Sequence, residues 1–190
     1  MSYRRDLWEI AAQQHGVLTA REAEDAGVPA VEVRKLAQRG ALTSHGQGVY
    51  SHRDVPTDEL TQPTIAVALA GEGAFLHREA VLDAMGLGQF NPRRIRVGTL
   101  RRVRRALPEW MELEHRRDLR DRELIRFAGI PATTVQCALR DVRAVMPPDR
   151  WRALVDEALR REMLEESEAQ DLAERSDLHR LVPRRKGRAD

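Results

Sequence analysis

Glycines at positions 16, 27 and 40 close three consecutive short segments, and each segment carries the signals of one brief helix. That punctuation constrains the fold most, because it excludes a long helix from the first forty residues. Leu7, Ile10, Ala11 and Gln14 recur at helical spacing before Gly16. Thr19-Ala-Arg-Glu22 fits a capping box, in which hydroxyl and carboxylate satisfy free amides of a first turn. Pro29 suits the first turn of a third helix with Val33, Leu36 and Ala37 facing inward. Residues 41–50 then place two short apolar arms around a glycine-containing turn, as a β-hairpin requires. Three helices and a hairpin in this order predict a winged helix-turn-helix over residues 1–53.

The third helix would be the recognition helix. Its open face carries Arg34, Lys35, Gln38 and Arg39, whose donors match purine edges and phosphates in a major groove. Polar residues also fill the solvated side of any short helix, and Glu32 is unfavourable to phosphate. The hairpin in the position of a wing is what favours DNA contact. In the wing, His45 and Gln47 stand among Gly46 and Gly48, which allow close approach to a phosphate or a minor groove; a plain tight turn is the alternative. Arg4 and Arg5 could reach backbone phosphates.

Residues 53–59 are polar, contain Pro56 and mark a boundary. The second domain, residues 60–190, reads as helices at 63–70 and 77–85 and strands at 92–100, 110–114 and 124–130. Helical stripes follow, one from Val135 through Val145 and Met146 up to Pro147-Pro148, another from Trp151 to Leu159. Residues 162–177 are acidic and helical in pattern, and the basic tail 183–190 reads as flexible. The expected class is α+β, a winged helix-turn-helix followed by a mixed helix and strand domain.

A net charge of +2 does not by itself point to nucleic acid, but its distribution is uneven. Residues 93–105 hold seven arginines and no acid. Arg94 and Arg96 alternate with Ile95 and Val97, so a strand could turn an arginine ladder outward. Such a ladder could grip phosphates, meet an acidic protein, or guard an exposed edge strand.

Enzyme signatures are missing. His77-Arg-Glu79 matches half of a zinc deaminase motif whose Pro-Cys-x-x-Cys half is absent, so His77 reads as a cap or packing residue. The six histidines lack metal-ligand spacing, and no nucleophile elbow or P-loop occurs. Cys137, the single cysteine, reads as a buried apolar residue. Neither catalysis, metal nor cofactor is expected. No apolar run spans a membrane and the first nine residues are too charged for a signal peptide, so a cytosolic protein is expected.

Four stretches carry a family resemblance: Gly16-Val-Leu-Thr-Ala-Arg-Glu-Ala with Leu36-Ala-Gln-Arg-Gly40 and Gly48-Val-Tyr50; Leu76-His-Arg-Glu-Ala-Val-Leu82 with Gly86-Leu87; Pro92-Arg-Arg-Ile95; and Gly129-Ile-Pro-Ala-Thr-Thr134 with Leu139-Arg-Asp141. In this order they resemble the AbiEi family, antitoxins and autoregulators of bicistronic toxin–antitoxin systems. The resemblance runs over residues 3–175. It implies binding to inverted repeats in the protein's own promoter. It further implies that residues 60–190 counteract a nucleotidyltransferase-like toxin, in the type IV manner that needs no stable antitoxin–toxin complex. Two rivals stand beside it: a regulator answering a small ligand or protein partner, and a nuclease fused to a winged helix. The second lacks a clustered Asp/Glu/Lys site.

Overall fold

The computed structural model describes residues 2–90, 92–104 and 106–181. Arg105, at the end of the arginine-rich run, and the tail expected at 183–190 lie outside the described residues.

Helices α1 (Tyr3–Ala12), α2 (Ala20–Asp25) and α3 (Ala30–Gln38) pack around Leu7, Ala11, Leu18, Ala23, Val28, Val33 and Leu42. The Thr19 capping box forms: Glu22 N donates to Thr19 Oγ1 at 3.2 Å, and Thr19 N to Glu22 Oε2 at 2.7 Å. Pro29 is the residue before α3 rather than part of its first turn. The hairpin pairs β2 (Leu42–Gly46) with β3 (Val49–His52), and an unforeseen strand β1 (Val17–Thr19) joins the other edge of β3. The three-stranded order is β1-β3-β2. This is a winged helix-turn-helix.

Helix α4 (Thr61–Ala70) is apolar on nearly every side, with Ile65, Ala66, Val67, Leu69 and Ala70 buried. A helix without a polar face must be covered on more than one side. It lies against the three-stranded sheet and also against a second, five-stranded sheet. That sheet comprises β4 (Ala74–Leu76), β5 (Ile95–Thr99), β6 (Met111–His115), β7 (Leu124–Phe127) and β8 (Ile130–Thr133), in the order β6-β5-β4-β8-β7. The β5/β6 and β4/β8 pairs are parallel and the others antiparallel. Helices α5 (Glu79–Ala84), α6 (Val135–Val142), α7 (Pro148–Arg160) and α8 (Glu166–Leu181) complete the larger core. Val17 and Val49, from the winged helix, belong to that larger core.

Several expectations are corrected. The segment 77–85 is not one helix: β4 precedes it, His77 N still bonds Arg96 O at 3.4 Å, Arg78 turns with φ +57, and α5 starts at Glu79. His77 is wholly buried as a packing residue, its ring edge-on to Phe75. The strand expected at 124–130 is two strands, turned at Ala128 and Gly129, both at positive φ as a tight hairpin demands. Val145, placed on the apolar stripe, is 73% exposed. The edge-strand reading of the arginine ladder also falls, because β5 has a neighbour on each side. Across one of those pairings Phe75 lies over Gly98, where an added Cβ would come within 2.3 Å of the ring.

Arg116, buried beside β6, ties the core's charges together. Its Nε and Nη2 grip Asp118 at 2.9 and 2.8 Å, and Nη1 donates to Asp141 of α6. The guanidinium holds the Asp118 carboxyl down at about 2. Burial, with Arg116, Arg78 and Arg96 nearby, pushes His77 down to about 3, so the ring is neutral and its 3.8 Å approach to Glu114 is no ion pair. Arg116→Met should lower stability by about 3 kcal/mol, because Asp141 keeps only the 3.4 Å ion pair with Arg140 Nε; adding Asp141→Leu should recover most of the loss. Urea denaturation of the single and double variants measures both.

A second polar knot joins the winged helix to the rest. His15 Nδ1 lies 2.7 Å from Asp58 Oδ2 and Nε2 lies 2.9 Å from Ala128 O. Both partners only accept, so both ring nitrogens must donate and the ring is an imidazolium. Partial burial opposes that charge, but the hydrogen bonds to Asp58 and Ala128 O and the Asp58 charge prevail and raise the pKa. The contribution is complete below the unfolded value of about 6.5 and is lost as pH rises through the raised folded value. Melting curves across pH 5–9 should show wild type losing its margin over His15→Gln on the alkaline side; a constant margin would refute the charged ring.

Candidate nucleic-acid interface

On α3, Val33 is buried and Leu36 and Ala37 are half-buried, which turns Val31, Arg34, Lys35 and Gln38 outward. Their spacing of three, four and seven places them on one face. Arg34 Nε anchors to Ala30 O at 3.2 Å, and Lys35 Nζ pairs with Glu32 at 2.8 Å. Glu32 thus holds the lysine in place rather than facing solvent alone. Arg39 is the exposed residue closing the helix, followed by Gly40, where an added Cβ would meet the Arg53 guanidinium at 3.5 Å.

The wing turns through Gly46, Gln47 and Gly48, with φ of +94, +52 and +75. Positive φ at Gln47 and Gly48 matches the turn whose twist suits a two-residue hairpin. Gly48 also lies close to α2: an added Cβ would meet Ala20 Cβ at 3.3 Å, and Gly48 O accepts from Ala20 N at 2.7 Å. Gln47 is exposed at the tip. His45 bonds Ser51 Oγ at 2.9 Å, and burial lowers its pKa, so near neutral pH it offers a hydrogen bond rather than a positive charge.

The remaining arginines divide. Arg93, Arg94, Arg101, Arg102 and Arg104 are exposed. Arg96 is held between Glu79 of α5 at 2.5 Å and Glu112 of β6 at 3.2 Å, its side chain only 26% exposed. The ladder inferred from alternation is therefore not open along its length, because α5 closes over Arg96. Arg4 pairs with Asp54 at 2.6 Å and Arg5 with Glu9 at 3.2 Å. Reading the open face of α3 for polar residues alone passed over Val31, although its spacing to Arg34 and Gln38 marks it. Among the described residues no group of acids, histidines and cysteine could hold a metal, and no helix is long and apolar enough to cross a membrane.

These features define a winged helix-turn-helix module that presents one helix and a glycine-edged wing on its surface. Residues 5–51, from α1 into β3, match the model of a family described as transcriptional regulator, AbiEi antitoxin. The resemblance read from residues 16–50 is thereby shown; the motifs at 76–141 lie outside the match. No curated protein matches the chain.

Arg94 and Arg96 should behave differently when each is changed to Gln. Arg94→Gln should weaken binding to all DNA alike and lower the log–log salt slope by about one unit. Arg96→Gln should lower the melting temperature, because Glu79 and Glu112 lose their shared cation, and leave the slope alone. Filter-binding titrations over a salt series, with thermal melts, decide this; equal slopes for wild type and Arg94→Gln would remove phosphate contact.

Proposed function

We propose that the protein represses transcription from its own promoter and serves as the antitoxin of a toxin–antitoxin pair, working in the cytosol. The observation that carries this reading is the outward face of α3 beside the wing, within the segment matched to the regulator and antitoxin family. Residues 1–53 bind double-stranded DNA at inverted repeats, through Arg34, Lys35, Gln38 and Arg39 in the major groove and His45 and Gln47 from the wing. Residues 60–190 counteract a nucleotidyltransferase-like toxin, with no stable complex required, and the exposed arginines at 93, 94 and 101–104 add a phosphate-binding surface. A second reading is favoured by the groove of about 830 Å³ that runs past Gln47, Gly48, Arg21, Glu72 and Arg126. A ligand or partner seated there would touch the wing directly, making the protein a ligand-responsive regulator without an antitoxin role.

Gel shifts should show tighter binding to the region upstream of the gene than to random DNA, with affinity falling steeply in salt. Arg34→Ala with Lys35→Ala should weaken specific binding by roughly 1–3 kcal/mol for each base contact removed. Rescue of cells from the co-expressed neighbouring toxin should survive that double change. Equal affinity for upstream and random DNA would overturn the repressor, and failure of wild-type rescue would overturn the antitoxin in favour of the second reading.

A further inference from the structure

Val31 is 50% exposed, more than any other large apolar side chain of α1 to β3. It shares its face of α3 with Arg34, Lys35 and Gln38 and lies in the first turn. In helix-turn-helix docking, the N-terminal residues of the recognition helix approach the base edges most closely. Branching at Cβ restricts its side chain to few rotamers, so its two methyl groups have a defined position. The cations beside it are drawn back onto the helix: Arg34 Nε to Ala30 O, and Lys35 to Glu32. The first turn therefore presents a half-exposed apolar side chain between these cations.

A major groove offers such a side chain one matching group. Guanine, cytosine and adenine edges present only hydrogen-bond donors and acceptors there, and thymine alone adds a C5-methyl. We propose that Val31 is a specificity-determining residue that reads a thymine methyl, while Arg34, Lys35 and Gln38 make the polar contacts around it. The inference rests on the DNA-binding reading above and adds a chemical preference to it: the operator carries a thymine opposite the first turn of α3. The same contact accepts 5-methylcytosine, whose methyl group occupies the equivalent position.

The test uses the full chain, as wild type, Val31→Ala and Val31→Thr, against the upstream duplex synthesised with thymine or with uracil in its place. Uracil pairs as thymine does but lacks the methyl. Wild type should bind the uracil duplex about three- to five-fold more weakly per contacted thymine, the loss of one buried methyl contact. Val31→Ala should bind the thymine duplex more weakly by a similar factor and no longer distinguish the two. Val31→Thr, which keeps one methyl on the same branched carbon, should retain part of the distinction. Because uracil also alters duplex stacking, the decisive quantity is the thymine-to-uracil ratio of Val31→Ala relative to wild type. An undiminished ratio in Val31→Ala, or none in wild type, overturns the role of Val31 and leaves the repressor standing. Wild type binding upstream and random DNA equally removes the repressor, and Val31 falls with it.

Discussion

Helix α4 is the constraint on which the remainder of the architecture depends. Its sequence, Thr-Gln-Pro-Thr-Ile-Ala-Val-Ala-Leu-Ala, has no polar stripe, so no single partner can cover it. The three-stranded sheet of the winged helix takes one part of its surface and β4, β5 and β8 take another. Full burial of Ile65, Val67 and Leu69 is worth roughly 1.5–3 kcal/mol each, which makes the helix the main apolar tie between the two sheets. The His15–Asp58–Ala128 knot works at the same junction but by a different force. It aligns the α1–β1 turn, the connecting segment and the β7–β8 hairpin through hydrogen bonds that apolar burial could not orient.

Arginine does two kinds of work here, and net charge separates neither. Arg116 and Arg96 are structural, each shared between two carboxylates from different elements. Arg140 bonds Glu123, and Arg161 caps the carbonyls of Met85 and Gly86. The forked guanidinium suits this use, since it satisfies several acceptors while staying charged under burial. The arginines at 93, 94, 101, 102 and 104, around β5, stand exposed instead. A sum of +2 over the chain thus conceals arginines bound between carboxylates inside the fold and others that stand exposed on its surface.

Local signals carried the winged helix: the Thr19–Glu22 box, the glycine stops and the hairpin glycines each act within a few residues, so a sequence exposes them directly. What escaped was set by distant partners. Val17-Leu18-Thr19 is too short to show alternation and becomes a strand only because β3 lies beside it. Ala74-Phe75-Leu76 is buried on both faces, which erases the period of two, and Pro131 disguises β8. For the interface, the polar residues of α3 were legible from its buried face. The difference between Arg94 and Arg96 was not, because it depends on Glu79 and Glu112, brought close only by the fold.

The sharing of α4 sets where this protein can be divided. The polar stretch at 53–59 invites a cut there, yet a fragment ending at residue 53 would leave Val17 and Val49 uncovered on a bare sheet face. The smallest piece that keeps those valines covered ends after Ala70 and carries α4 with it, and that piece then displays the side of α4 made for β4, β5 and β8. Recombination of this winged-helix head with other bodies therefore requires an incoming sheet that can seat the same helix. The hydrophobic fit along α4, more than the connecting residues, decides which chimaeras would stay in solution.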